Sequence, residues 1–403
     1  MNVSTQREAK WEAWAFGALV GAVFASAFTL PGGRWLLGAS VVLTVIQLVR
    51  ARRAPAFPAV AWLGLTCILI AVCTTIWGMN PARGIPKLTK LIWFIGIPLC
   101  ATLVTGPSRI WMLVRAYACG CGVLGVLTCV RHTVKARELV ALGQFDRFSD
   151  ALVHVGSMSD AQRLMVGVLL ALGLLLASRG VAARARWGWG CLLGVIAVGL
   201  LINFKRGAWF STVGVVTVFL IIRAGWRYAV AIVLLALCLL AVPTVRTRVA
   251  GLKDELSGRG GRMMMWREIA PELHRQYPWG VGYRALTNDA MREIEPRVEP
   301  NRDHLHSNPI QMWVDTGWLG LAVYLLWMGW SCTDAMRFCV RMRRDPAALA
   351  LALALGMGLA ALLFNGLVEY NFGDGEIVLA YGWMIGTLAA GAAARNETRT
   401  SLS

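Results

Sequence analysis

The sequence predicts an all-α integral membrane protein with about twelve transmembrane helices and one long structured loop between the ninth and the tenth. Three observations carry this. Of 403 residues, 57% are hydrophobic and only 15% are charged, against about 45–50% and about 25% in soluble domains. The mean hydropathy is +0.58. The apolar residues fall largely in runs of roughly 17 to 25, the length that crosses a hydrocarbon core as a helix whose backbone groups bond within the segment. The 40 Lys and Arg against 22 Asp and Glu give a net charge of +18. Much of that excess lies in short segments between apolar runs, where it orients helices rather than binding nucleic acid.

Twelve runs can be drawn, a few of them short: approximately Trp14 to Leu30, Trp35 to Val49, Ala59 to Gly78, Leu88 to Val104, Ile110 to Val130, Leu164 to Ser178, Trp187 to Phe204, Ala208 to Ile222, Tyr228 to Val242, Trp318 to Cys332, Ala347 to Leu367 and Ile377 to Ala393. The first has no small-residue cleavage site behind it and reads as a retained helix. Basic groups at Arg50, Arg52 and Arg53, at Arg179, Arg184 and Arg186, at Arg223 and Arg227, and at Arg337, Arg341, Arg343 and Arg344 all follow even-numbered runs. Both termini are therefore expected on the cytoplasmic side of the membrane. The chain divides into residues 1–243, holding helices 1–9 and an outer loop over 131–163; residues 244–317, the long loop; and residues 318–403, helices 10–12 with a cytoplasmic tail.

The long loop carries Met263, Met264, Met265, Trp266, Leu273, Tyr277, Trp279, Tyr283, Leu286 and Trp313, enough apolar mass to pack as a lid rather than remain disordered. Gly17/Gly21, Gly190/Gly194 and Gly382/Gly386 read as helix-packing seams. The ten cysteines lie in or beside apolar runs and read as small buried hydrophobes, with no zinc-type spacing. No inverted sequence repeat of the transporter kind is evident.

The outer face is unusual in its cations. Lys87 and Lys90 lie at one short turn and Lys205 and Arg206 at another, with further arginines, including Arg259 and Arg262, in the long loop. The bland reading is headgroup anchoring. However, Lys205-Arg206-Gly207 packs two cations between apolar helices with no acidic neighbour in sequence. Arginine's planar fork suits a phosphate, so an anion such as a pyrophosphate is expected there. The second constellation is Asp303-His304-Leu305-His306-Ser307-Asn308-Pro309. Asn then Pro predicts the start of a short helix. His306 would sit just outside its positive end, where imidazolium is disfavoured and a neutral base results. The five histidines and nearby carboxylates complete no metal site, and phosphate-loop and dinucleotide motifs are missing, so neither metal nor nucleotide is expected.

These residues resemble the O-antigen ligase/polymerase superfamily of bacterial envelope glycosyltransferases, most closely its ligase branch. The resemblance rests on the helix plan and on three patterns. The first is Lys205-Arg206-Gly207 with Trp209. The second is Ser257-Gly258-Arg259-Gly260-Gly261-Arg262 with Trp266, followed by Tyr277-Pro278-Trp279-Gly280-Val281-Gly282. The third is His306-Ser307-Asn308-Pro309 with Gln311, followed by Asp315-Thr316-Gly317-Trp318-Leu319-Gly320-Leu321. It covers mainly the chain after Asn203.

The resemblance implies a GT-C-like, metal-independent transferase in the bacterial inner membrane with its site on the periplasmic face. Such an enzyme moves a glycan from undecaprenyl diphosphate to a sugar hydroxyl of lipid A-core, completing lipopolysaccharide. Arg206, Arg259 and Arg262 would bind the donor diphosphate. His306 would take or orient the acceptor proton, with inversion at the anomeric carbon. Lys87, Lys90, Lys205, Asn308 and Gln311 are further candidate substrate contacts. The family pattern often has Glu where this chain has Asp315, which receives no catalytic role. An O-antigen polymerase, a protein oligosaccharyltransferase and a non-enzymatic glycolipid transporter remain alternatives.

Overall fold

The computed structural model describes residues 3–144, 148–178, 183–239, 241, 243–251 and 261–393, and among these every regular element is a helix. The chain runs through α1 (Val3–Ser26), α2 (Leu30–Ala51), α3 (Ala59–Ile76), α4 (Pro81–Leu88), α5 (Gly96–Leu103), α6 (Pro107–Ala141), α7 (Phe148–Val153), α8 (Met158–Ala177), α9 (Ala183–Ile202), α10 (Arg206–Ala224), α11 (Trp226–Leu239) and α12 (Pro243–Ala250). It continues through the loop helices α13 (Arg262–Met264), α14 (Ala270–Gln276) and α15 (Asn288–Ile294). It then closes with α16 (Asn308–Met342), α17 (Pro346–Gly366) and α18 (Gly375–Ala393).

Eight stretches among the described residues are long and apolar enough to cross a membrane: α2, α3, the α4–α5 stretch Pro81–Leu103, α6, α8, α9, α17 and α18. They correspond to eight of the twelve expected runs. The other four fall within α1, α10, α11 and α16, which are helical but do not meet the same measure over the described residues. Large apolar side chains such as Trp35 (82% exposed), Trp77 (80%) and Val49 (71%) point outward. That is unfavourable in water and expected against lipid.

Helices outrun the apolar segments. Much of the stretch expected as an outer loop over 131–163 is helical: α6 continues to Ala141, and α8 begins at Met158. The extension is rich in Ala, Arg, Lys, Glu and Leu, which favour helix whatever their hydropathy, and Lys135 pairs with Glu138 at 3.0 Å one turn along. Arg115, inside α6, lies over the rings of Trp111 at 4.6 Å and Trp189 at 5.8 Å.

Two cores organise the molecule. The larger fills the bundle, with Leu113, Tyr117, Leu164, Leu355 and Trp383 at its centre. The smaller belongs to the long loop, where Met264, Met265, Ile269, Leu273, Leu286, Met291 and Leu305 pack together. Each fully buried side chain of this kind contributes about 1.5–3 kcal/mol, which gives the loop a body of its own. Trp279, expected in that lid, is 82% exposed, and Tyr283 joins the bundle core instead.

The loop is fastened to the bundle where α16 breaks. Gly317 adopts φ 65, ψ −171 inside α16, a conformation that costs glycine no steric strain. The chain through Gly280-Val281-Gly282 crosses beside the break. Val281 N donates to Val314 O at 2.9 Å, Gly282 N to Asp315 O at 3.0 Å, and Met79 N to Val281 O at 2.8 Å. A Cβ at Gly280 would lie 2.4 Å from Asp315 O, so this approach requires glycine.

Candidate active site

The turns at one end of the bundle meet. Arg83 at the start of α4 bonds Asp303 at 2.9 Å, Ser159 at the start of α8 bonds Asp374 at 2.8 Å, and Lys205 before α10 reaches Val153 O at 3.2 Å. Residues from separate parts of the sequence thus share one polar surface beneath the long loop.

His306 lies within it, its side chain only 9% exposed. Its backbone φ is 51, a left-handed conformation costly for a residue with a Cβ unless the surroundings hold it. They do so on both sides. Leu305 N donates to Gln311 Oε1 at 2.7 Å, and Trp266 Nε1 donates to Leu305 O at 2.6 Å. Two residues after His306, Asn308 is fully buried and its Oδ1 accepts from Asn371 N at 2.9 Å and Phe372 N at 3.3 Å. The helix expected at Asn308 is present, but its cap is Ser307, and it runs on through the Gly317 break into the 35-residue α16. Asn308 ties the histidine loop to the turn between α17 and α18 instead of capping the helix.

That turn supplies the residue the sequence reading missed. Glu369 is 4% exposed. Its Oε2 faces His306 Nδ1 at 3.2 Å, and its Oε1 accepts from Arg262 Nη2 at 2.5 Å. A Cβ at Gly207 would lie 3.8 Å from Glu369 Oε1 and 2.9 Å from Asn365 Nδ2, so the Lys205-Arg206-Gly207 turn packs on the same carboxylate. Arg206, the first residue of α10, is half-buried there. Three chain segments far apart in sequence therefore converge on Glu369. The signal was available: Glu369, Asp374 and Glu376 form an acidic turn on a face otherwise rich in cations.

Burial is the largest influence on His306 and lowers its pKa. The hydrogen bond that Glu369 accepts opposes this, and His304 and Arg262 lower it further. Burial thus takes the part that the sequence reading gave to the helix end. Burial alone raises Glu369, but its bond with His306 and the charge of Arg262 bring it below its ordinary value. The resting pair is a carboxylate and a neutral imidazole.

Arg302, also absent from the sequence expectations, donates from Nη1 to His306 Nε2 at 2.9 Å. A guanidinium has only donors, so Nε2 carries the lone pair and Nδ1 carries the hydrogen given to Glu369. His304 packs against His306 with ring centroids 4.2 Å apart and planes tilted by 49°, and bonds Asp303 through Nδ1 at 2.9 Å. Asp303 also meets Arg284 at 3.6 Å. Lys90 Nζ and Arg284 Nη1 both donate to Gly373 O at 2.5 Å, and Lys87 is exposed. Gln311 is fully buried, with Nε2 on Asp315 Oδ1 at 2.7 Å, so its carboxamide and that of Asn308 hold neighbouring residues in place. Arg259 lies outside the described residues.

Such a site can accept a proton at Nε2 while holding an anion beside it. Residues 189–325 match the family model for O-antigen ligase. This segment is similar to O-antigen ligases. It spans about a third of the chain and contains Arg206, Arg262, Arg302 and His306, whereas Glu369 lies beyond it. No curated protein matches the chain. The match and the eight apolar helices point to a multi-pass membrane protein.

Proposed function

We propose that the protein is an O-antigen ligase of GT-C-like design, working at the periplasmic face of the bacterial inner membrane with both termini cytoplasmic. It transfers a glycan from undecaprenyl diphosphate to a sugar hydroxyl of lipid A-core and completes lipopolysaccharide without a metal. The observation that carries this reading is the meeting of His306, Arg262 and the Lys205-Arg206-Gly207 turn on Glu369. Glu369 orients the imidazole through Nδ1–H and stabilises the imidazolium that forms, leaving Nε2 as the base. Arg206, Arg262 and Arg259 hold the diphosphate and offset the charge that develops on it as the sugar–phosphate bond breaks. Direct displacement inverts the anomeric centre. Lys87, Lys90 and Lys205 supply further positive potential around the substrates, and the long loop covers them.

The test is transfer from purified lipid-linked donor to lipid A-core, with and without chelator. A core-linked product that resists chelator supports the assignment. Loss of transfer on chelation sinks the metal-free mechanism; longer lipid-linked chains or glycoprotein would identify a polymerase or an oligosaccharyltransferase. Movement of intact donor across liposomes without acceptor, unaffected by His306→Ala, would identify a transporter.

A further inference from the structure

The Nε2 atom of His306 is already occupied. Arg302 Nη1 donates to it at 2.9 Å, and the ring nitrogen has a single lone pair in the plane, so it cannot also accept from a substrate hydroxyl. The other edge of the guanidinium rests on Glu299, with Nε donating to Oε2 at 3.0 Å and Nη2 bonding the same oxygen. The side chains of Arg302 and Glu299 are 39% and 59% exposed, while that of His306 is 9% exposed. One end of Arg302 thus enters a closed site and the other is held at the surface by a pair of the weakly bound, solvent-screened kind.

We propose that Arg302 is a positioning residue that reserves the Nε2 lone pair of His306 for the acceptor hydroxyl and is displaced by that hydroxyl when the acceptor sugar binds. The inference rests on the reading of His306 as the base. In the transfer step the hydroxyl proton passes to Nε2, and the acceptor oxygen bonds the anomeric carbon. The electron pair of the broken carbon–oxygen bond leaves on the diphosphate. None of this starts while Nη1 holds the lone pair. In the resting protein the same contact fixes the tautomer, because a donor at Nε2 leaves Nδ1 to carry the hydrogen toward Glu369. Among the described residues the ionisable groups around the ring are Arg302 at Nε2, Glu369 at Nδ1, His304 with its ring tilted against it and Arg262 across Glu369. The Lys205-Arg206-Gly207 turn lies on the far side of that carboxylate.

The experiment uses the full chain with Arg302→Ala and Arg302→Lys. Three quantities are read: KM for acceptor and for donor, the pH profile of kcat/KM, and the ring 15N shifts of His306 without substrates. In Arg302→Ala the acceptor KM falls about threefold to tenfold, the cost of a displaced hydrogen bond, and the donor KM is unchanged. The acid limb of kcat/KM and the His306 ring titration both move up by about half a unit to one unit, because a cation and donor beside Nε2 are gone. Arg302→Lys returns both toward the native values. An acceptor KM that rises or stays put, or a ring titration that does not move, overturns the proposal. If the ring titration moves as expected but His306→Ala still transfers, the base reading fails and takes the proposal with it, which separates that failure from a missing contact.

Discussion

Two carboxylates on the same polar surface are surrounded by the same kinds of residue. Asp303 meets Arg83, Arg284 and His304, while Glu369 meets Arg262 and His306. The side chain of Asp303 is 34% exposed and that of Glu369 is 6% exposed. The hydrogen bond from His304 and the charges of Arg284 and Arg83 hold Asp303 well below the ordinary carboxylate range, and water shares that charge. Around Glu369 burial removes the water, so an imidazole is held neutral beside a charge it would complement if protonated. The difference teaches that composition does not separate a binding surface from a reactive centre. Desolvation does, because it forces one group to stay uncharged until a proton arrives.

That contrast can be broken most directly by His306→Ala, which should lower the transfer rate by about 10²- to 10⁴-fold with donor binding retained, as measured by donor pull-down. Glu369→Gln should lower kcat by on the order of 10²-fold and also shift the pH profile. His306 lies below its ordinary value of 6.5, so the native acid limb of kcat/KM falls below pH 6.5, with activity present above it and lost as pH drops. Removing the Glu369 charge makes imidazolium less favourable still and moves that limb further down; an upward move would count against the orienting role. Asn308→Ala leaves the backbone N–H groups of Asn371 and Phe372 without their acceptor, at about 1–3 kcal/mol, and should lower the detergent-phase melting temperature along with the rate. Arg206→Lys keeps the charge and loses the fork; donor KM should rise about tenfold, and near-native KM would refute bidentate diphosphate binding. The smallest effect is expected from Asp303→Asn, within about fivefold in KM, since half-exposed ion pairs are worth about 0–1 kcal/mol. A loss equal to that of Glu369→Gln would erase the distinction between the two centres.

Much of the fold was legible because a bilayer imposes a length rule that hydropathy reports directly, as the runs from Ala59, Ala347 and Ile377 show. The 131–163 stretch was misjudged for the complementary reason: hydropathy marks where lipid ends, and the helix continues on propensity and side-chain pairing. His306, Arg206 and Arg262 stood out as cations and an imidazole in unusual places. Glu369 was marked only by its place in an acidic turn among cations, and nothing in that pattern separates it from Asp374 or Glu376 until Asn308 draws the turn beneath the long loop.

The sequence by itself determined that the chain is helical and apolar enough to be membrane-borne, and that one polar face is basic, because local pattern and composition suffice for these. Only the tertiary structure decided which carboxylate meets which histidine and which ring nitrogen keeps its lone pair. Those depend on contacts between His306 and Glu369, 63 positions apart, and on the exclusion of water from the space between them, a property no single segment possesses.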